Sequence, residues 1–486
     1  MTFRQPVAFA AMIASGLRSA AGCGARRWLV TLWLGTSAVA APQPLPPTGL
    51  PEAAQGTWAS DGYGWRLQVD ARGARFSHAV GEWCWSAEDG DEWLSGTEAF
   101  ELSSDAQQLA LYATGEPHPY RFRRLDHWPA TCDHPPSGDT LTRFDRFAAL
   151  MQAHYAFFDR YQVDWSNRVR SARGRLHADS SDRRLFAALR STLRGIDDAH
   201  LSVLAEVQGL PRRIEGNRGR TLGTITARAR QANQPAGPYR RQWQREIWNA
   251  ALGDARHEAG NEFLQWGWLT PDVGYLAAYA MGGYAVRDFS DPTADRQVLA
   301  QFLDEAMGAF EAGHARAVVL DLSLNHGGYD FLARDFASRF ADRRRLAYRK
   351  WAADAVDQRP TELWIEPAEH RYTGPLYLLT SDITVSAGEI SVLSLRAFPQ
   401  VVHAGMPTRG ALSDILSKNL DDGWSLNLSN EIYLDHEGVS WEGRGIPPTL
   451  ALDVFPAANP DGGHAQALQD LLTRIAADLS SAEAPH

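Results

Sequence analysis

The sequence predicts an α/β protein whose layered part follows a small antiparallel β domain and a helical bundle. Three observations predict it. From Val273 onward, short apolar runs at Ala317 to Leu322 and Pro375 to Thr380, of the kind found in strands buried on both faces, alternate with helix-like segments at Val298 to Ala312 and Ser386 to Ala397. Residues 55–127 instead carry short alternating runs such as Trp65-Arg66-Leu67-Gln68-Val69, separated by Gly and Asp, the pattern of a half-buried antiparallel sheet. Between the two, Phe144, Phe147, Leu150, Met151, His154 and Phe158 recur at three and four residues, the spacing of one helix face. At 486 residues, 44% of them apolar, the chain is long enough for two or three such units.

In chain order, residues 1–40 read as a signal peptide. Arg26 and Arg27 precede an apolar run from Trp28 to Leu34, and Ala38-Val39-Ala40 gives the small-x-small pattern that a signal peptidase cleaves. The run is too short for a permanent bilayer-spanning helix, although an uncleaved anchor is the other reading. Residues 41–54 hold five prolines and read as a linker. The small β domain is expected over 55–132, with a break at Asp133 to Asp139, and the helical bundle over 139–205. There Ser181 is the expected N-cap of a helix striped by Leu185, Leu189 and Leu193, and Asp197-Asp198-Ala199-His200-Leu201 follows on a turn. His154 reads as a core histidine. Residues 206–267 form an arginine-rich insertion, either a lid or a solvated excursion. The α/β domain is expected over 268–456, and a C-terminal helix and tail over 457–486.

The formal net charge is −10, and the leader holds four arginines and no acid, which leaves the rest of the chain at −14. Such a chain repels nucleic acid and anionic membranes, so neither is an expected partner. No later segment is long and apolar enough to span a bilayer. With Cys23 in the leader, Cys84 and Cys132 remain. In the oxidising compartment that a leader implies, periplasmic or extracellular, a disulfide between them is expected; two buried free thiols are the alternative. Paired Cys or His spacing of the zinc kind is missing from the sequence, and neither a metal nor a cofactor is expected.

Two loops at strand ends carry candidate chemistry. Leu376 to Thr380 runs into the polar turn Ser381-Asp382-Ile383-Thr384-Val385, and a helix then begins at Ser386-Ala387-Gly388-Glu389. A helix N-terminus exposes unpaired N–H groups and partial positive charge. A serine placed there can attack a carbonyl while the N–H of Ala387 holds the developing oxyanion. The second loop, Ser323-Leu324-Asn325-His326-Gly327-Gly328, follows the strand ending at Leu322. Its paired glycines allow close backbone approach, and an N–H of Gly327 or Gly328 is the expected second oxyanion donor.

The ordered motifs Asp321-x-x-x-Asn325-x-Gly327-Gly328, Thr380-Ser381-x-x-Thr384-x-Ser386-Ala387-x-Glu389 and Glu442-Gly443-Arg444-Gly445-Ile446-Pro447-Pro448 resemble those of the carboxyl-terminal processing and tricorn-core serine peptidases. The resemblance covers residues 140–205 and 268–456. It implies a crotonase-related α/β fold preceded by a helical bundle, peptide or protein substrates, and Ser386 as nucleophile. One branch of that family uses a lysine soon after a Gly-x-x-Thr-x-Gly motif. Here Gly405-Met406-Pro407-Thr408-Arg409-Gly410 is followed by Ala411, and Lys418, seven residues on, reads as a surface residue. The tricorn-like branch takes its base from the helical part, and His200 occupies that place, with Glu442 as the orienting carboxylate. A neutral imidazole suits proton abstraction near neutral pH. Ala199 replaces the serine that helps orient the histidine in tricorn-type sites, so His200 is left to meet Glu442 directly, through water, or Asp198 instead. A module of the PDZ type is not recognisable in 208–265. A binding protein on the same scaffold, and an esterase or amidase for small substrates, are the rival readings.

Overall fold

The structure, a computed structural model, describes residues 42–46, 49–87, 96–133, 138–216, 219–421 and 423–483. The signal peptide read over 1–40 lies outside them. Gln43–Pro44 (β1), inside the segment read as a linker, is an edge strand paired with Phe100 and Ala99. Seven further strands follow: Gly56–Ser60 (β2), Trp65–Asp70 (β3), Gly73–Val80 (β4), Trp83–Ser86 (β5), Thr97–Leu102 (β6), Gln108–Ala113 (β7) and Tyr120–Leu125 (β8). They form one antiparallel sheet in the order β1-β6-β7-β8-β2-β3-β4-β5. The alternation of β3 buries Trp65, Leu67 and Val69, as a strand with one core-facing side requires. Cys84 on β5 is bonded to Cys132, with the Cα atoms 4.4 Å apart.

The helical segment opens with Thr140–His154 (α1), where the Asp139 side chain accepts the N–H of Thr142 at 2.8 Å. Phe144, Phe147, Leu150 and Met151 are buried on its inner face, and His154 is a buried core histidine whose Nδ1 faces Asp354 at 2.6 Å. Trp165–Arg173 (α2) is a helix that the sequence pattern does not single out, because Trp165 and Ala172 are its only buried residues. Asp182–Leu193 (α3) buries the predicted leucine stripe. Ser202–Val207 (β9) and Leu210–Glu215 (β10) then form a hairpin. The insertion with no clear sequence pattern is largely regular: Arg220–Gln231 (α4) and Ala236–Ala250 (α5) lead to His257–Ala259 (β11) and Leu264–Thr270 (β12).

The remaining elements are Val273–Ala278 (β13), Pro292–Ala312 (α6), Ala317–Asp321 (β14), Asp330–Ser338 (α7), Arg345–Ala352 (β15), Thr361–Ile365 (β16), Leu376–Thr380 (β17), Ala387–Arg396 (α8), Val401–Gly405 (β18), Ile415–Asp421 (β19), Trp424–Ser429 (β20), Glu431–Asp435 (β21), Leu450–Ala451 (β22) and Pro460–Glu483 (α9). Strands β15, β16 and β21 form a separate three-stranded sheet and β19 and β20 join β9 and β10 in a four-stranded one, whereas β13, β14, β17, β18 and β22 complete the main sheet. Its order is β11-β12-β13-β14-β17-β18-β22, parallel from β13 onward. Burial on both faces explains the unbroken apolar runs. Val318 and Leu320 of β14 pack with Leu303, Phe336 and Leu393 of α6, α7 and α8, while Ala317 and Val319 pack with Ile225, Ile247 and Leu471 of α4, α5 and α9. Helix α6 starts six residues before the predicted Val298 because Asp291 caps it through the N–H of Ala294 and Pro292 occupies its first turn. Among the described residues no helix is long and apolar enough to cross a membrane.

Lys418 corrects a sequence reading. It is fully buried: Leu416, Lys418 and Leu420 of β19 turn inward together, toward the eight-stranded sheet. Its ammonium donates to the carbonyls of Tyr63 at 2.5 Å and Gly64 at 3.2 Å, lies 3.2 Å from His78 Nδ1, and stands over the Trp65 ring. A lysine is buried only where acceptors replace its water, and these acceptors come from a segment some 350 positions away, 355 in the case of Tyr63. Lys418→Met leaves both carbonyls without this donor and is expected to cost about 2–4 kcal/mol. Differential scanning calorimetry should register a midpoint lowered by several degrees; an unchanged midpoint contradicts a structural role.

Candidate active site

The parallel strands β14 and β17 end side by side, and the loop after each supplies one wall of the site. Asp321 closes β14. Its Oδ1 accepts the N–H of Ser323 at 2.8 Å, and its Oδ2 accepts the Tyr275 hydroxyl at 2.7 Å and lies 2.6 Å from His464 Nε2 on α9. Burial opposes its ionisation, but His464 and Ser323 hold the carboxyl below the usual range. Asn325, fully buried, donates to the carbonyl of Ala278 at 2.9 Å and accepts the N–H of Gly327 at 2.8 Å. Gly327 has φ +83°, and a Cβ there would lie 2.5 Å from the Cβ of Ser386, so only glycine lets the two loops meet.

From β17, the Ser381 hydroxyl donates to the carbonyl of Ser323 at 2.5 Å and the Thr384 hydroxyl to that of Leu322 at 2.8 Å. These bonds fix the turn before Ser386 against the glycine loop. Ser386 stands at the N-terminus of α8 with φ +58° and ψ −129°, an unfavourable conformation for a side chain with a Cβ, which the surroundings must impose. Its N–H donates to the carbonyl of Ala411 at 3.0 Å and faces Glu389 Oε2 at 3.3 Å.

Glu389, fully buried one turn into α8, gathers the third loop. Its Oε1 accepts the Thr408 hydroxyl at 2.5 Å and the Gly410 N–H at 2.7 Å, and its Oε2 accepts the Ala411 N–H at 2.8 Å. Burial pushes its carboxyl up to about 6, against the downward pull of these donors. Glu442 does the same for the next residues, its Oε2 accepting the N–H groups of Leu412 at 2.8 Å and Ser413 at 3.0 Å. Burial, then the charges of Asp198 and Glu389, raise the Glu442 carboxyl well above the usual range.

His200 reaches this loop from the turn between α3 and β9. Its Nδ1 lies 2.6 Å from the carbonyl oxygen of Ser413, and its backbone N–H donates to Asp198 Oδ1 at 2.8 Å. Asp198 is in turn held by the Tyr155 hydroxyl at 3.0 Å. A carbonyl can only accept, so Nδ1 carries the proton and the lone pair is on Nε2, which has no partner among the described residues.

Ser386 and His200 are thus tied to carbonyls two positions apart on one loop, those of Ala411 and Ser413. Two expectations change. Glu442 makes no hydrogen bond to His200; the Ser413 carbonyl orients the imidazole, and Glu442 positions that carbonyl. Gly327 is not an open donor, since its N–H is spent on Asn325, whereas the N–H groups of Gly328 and Ala387 donate to nothing among the described residues. Sequence reasoning missed Ser413 and Tyr155 as supports, while Asp198, one of the partners left open for His200, holds its backbone N–H; Glu389, three residues after Ser386, has the spacing of a helix-start carboxylate. No cluster of three or more His, Cys, Asp or Glu side chains suited to a metal occurs among the described residues.

Residues 272–452, which carry the glycine loop after one strand of the parallel sheet and the serine-headed helix after the next, match the model of peptidase family S41. Over that part the chain resembles the carboxyl-terminal processing peptidases, being 25% identical over 178 residues to the carboxy-terminal processing protease CtpA of Bacillus subtilis (strain 168). That match takes in 36% of this chain and spans about a third of the relative, 35% of its length. A putative peptidase from Parabacteroides merdae has a similar fold, with a TM-score of 0.53 at 20% identity, covering 70% of this chain and 97% of that one. Mature CPAF gives a TM-score of 0.50 at 12% identity, over 71% and 98% of the two chains.

The Glu389 site yields a test. Its folded carboxyl lies above the usual value of 4.5, so between about 4.5 and 6 the folded state binds a proton that the unfolded state releases, and this group's contribution to stability falls as pH rises through that window. Glu389→Gln turns an acceptor into a donor among donors and is expected to lower stability by about 2–4 kcal/mol at pH 7. Urea unfolding of both proteins from pH 4 to 7.5 measures the loss and the disappearance of that part of the slope.

Proposed function

We propose that this protein is an exported serine endopeptidase in which Ser386 is the nucleophile and His200 the general base. The observation that supports it is the shared loop: one carbonyl holds the backbone of Ser386, and the carbonyl two residues on fixes His200 with its Nε2 lone pair unengaged. Nε2 takes the proton of Ser386 Oγ as that oxygen attacks the substrate carbonyl carbon. The oxyanion is received by the N–H groups of Gly328 and Ala387, each such donor being worth roughly a hundred- to thousand-fold in rate. On collapse the C–N bond breaks and Nε2–H gives its proton to the leaving amine. Water, deprotonated by His200, then releases the acyl group from Ser386. Glu442, Glu389 and Asp198 act by position, through Leu412-Ser413, Gly410-Ala411 and the His200 backbone respectively. Peptide bonds are the substrate by analogy with the relative named as a processing protease.

The same reading takes 1–40 as a cleaved signal peptide, the Cys84–Cys132 bond as a consequence of export, and 268–456 as a crotonase-related domain. It places the β domain (55–132), helical bundle (139–205) and insertion (206–267) ahead of that domain. Ser386→Ala is expected to abolish casein hydrolysis and fluorophosphonate labelling with an unchanged unfolding midpoint. His200→Ala is expected to lower kcat by roughly three orders of magnitude or more. The measurements are probe labelling and turnover of one peptide by each protein; a wild-type protein that neither labels nor turns over contradicts the reading.

A further inference from the structure

The insertion between β9 and β12 carries a charge opposite to the rest of the chain. Residues 208–265 hold ten arginines against five carboxylates in a protein whose net charge is −10. Part of this excess is concentrated. Arg241, Arg245 and Arg256, joined by Arg287 from beyond the insertion, line an open groove of about 550 Å³ together with Trp248, Tyr279, Glu258 and Glu262; Arg256 is paired with Glu258 at 2.6 Å. That volume falls in the range of ligand-binding clefts and has room for a few side chains.

Two features show what the groove takes. Glu262 at its rim lies between two guanidinium groups, 2.9 Å from Arg245 and 3.5 Å from Arg287, so a carboxylate already fits this spacing. Arg241 makes no ion pair among the described residues, and the Arg245 and Arg287 side chains are more than half exposed. Guanidinium forks recognise carboxylates through paired N–H groups, and they keep their charge at any working pH.

A chain of side-chain contacts links the groove to the glycine loop. The Tyr279 hydroxyl donates to Gln244 Oε1 at 2.8 Å, Gln244 Nε2 lies 2.6 Å from His326 Nε2, and the Tyr279 ring stands edge-on to the His326 ring at 5.0 Å. His326 directly precedes Gly327, the residue in contact with Ser386.

We infer that this groove is a specificity site for acidic side chains, and that the preferred substrate segment carries Asp or Glu a few residues from the bond presented to Ser386. The inference rests on the peptidase reading for its purpose but not for its test, which is binding to the unreactive Ser386→Ala protein. Two fluorescent dodecapeptides, both with amidated C-termini, differ only in a run of four Glu against four Gln. The Glu peptide is expected to bind at least about tenfold tighter at low salt, with the advantage shrinking as salt screens it. In Ser386→Ala carrying Arg241→Glu and Arg245→Ala, the ratio between the two peptides is expected to fall to about one, with the circular dichroism melting curve retained. Equal binding of the two peptides, or a ratio unaffected by the arginine substitutions, overturns the inference. So does an affinity that follows a free C-terminal carboxylate rather than the internal Glu run, or tighter binding of a single-stranded DNA oligomer than of the Glu peptide. Selective binding together with no cleavage of either peptide by the wild type would leave this site standing and sink the peptidase reading instead.

Discussion

The buried carboxylate of Glu389 is the constraint on which the rest of the site depends. It lies in the first turn of the helix that Ser386 begins and accepts hydrogen bonds from Thr408, Gly410 and Ala411, with the Ser386 N–H close by. Four donors converging on one buried carboxylate leave the 408–411 loop a single position. That loop sets the Ala411 carbonyl against the Ser386 backbone and, two residues later, the Ser413 carbonyl against His200. The strained φ of Ser386 has the same origin, because the residue is held from both sides of its peptide unit.

Three acidic side chains, Asp198, Glu389 and Glu442, are buried in this region, and Glu442 feels the charge of the other two. Glu389 and Glu442 bind mainly backbone N–H groups of the 408–413 loop, while Asp198 holds the His200 N–H and the Tyr155 hydroxyl. The loop therefore takes its shape from side chains contributed by two distant segments, as a buried irregular segment must if its polar groups are to be satisfied. Burial raises the cost of ionising Glu389 and Glu442, and the N–H donors oppose that cost.

What the sequence made legible was local. The apolar runs of β14 and β17, the leucine stripe of α3 and the serine at the head of α8 each depend on neighbours a few positions away. What it concealed was who covers whom. Lys418 alternates with Leu416 and Leu420 as an inward residue, yet a lysine in a strand reads as exposed until the Tyr63 and Gly64 carbonyls are known to lie against it. Glu442 reads as the partner of His200 because carboxylates commonly orient imidazoles, and a carbonyl partner leaves no trace in composition. Helices α4 and α5 were obscured by arginines on their outer faces, although Ile225, Trp243 and Ile247 line the buried side.

The hairpin strand β9, just after His200, pairs with β20, and the imidazole finds its acceptor 213 positions downstream. A ribosome adding about 5–20 residues per second needs roughly ten to forty seconds to cover that interval. Throughout it the histidine has no carbonyl to fix its tautomer, and Ser386 has no loop to hold its strained backbone. Contacts of such separation form late in folding, after the entropy of closing the intervening chain has been overcome. The geometry that joins Ser386 and His200 is consequently absent from the growing chain, and it is assembled only once the 408–413 loop has been made and folded against both.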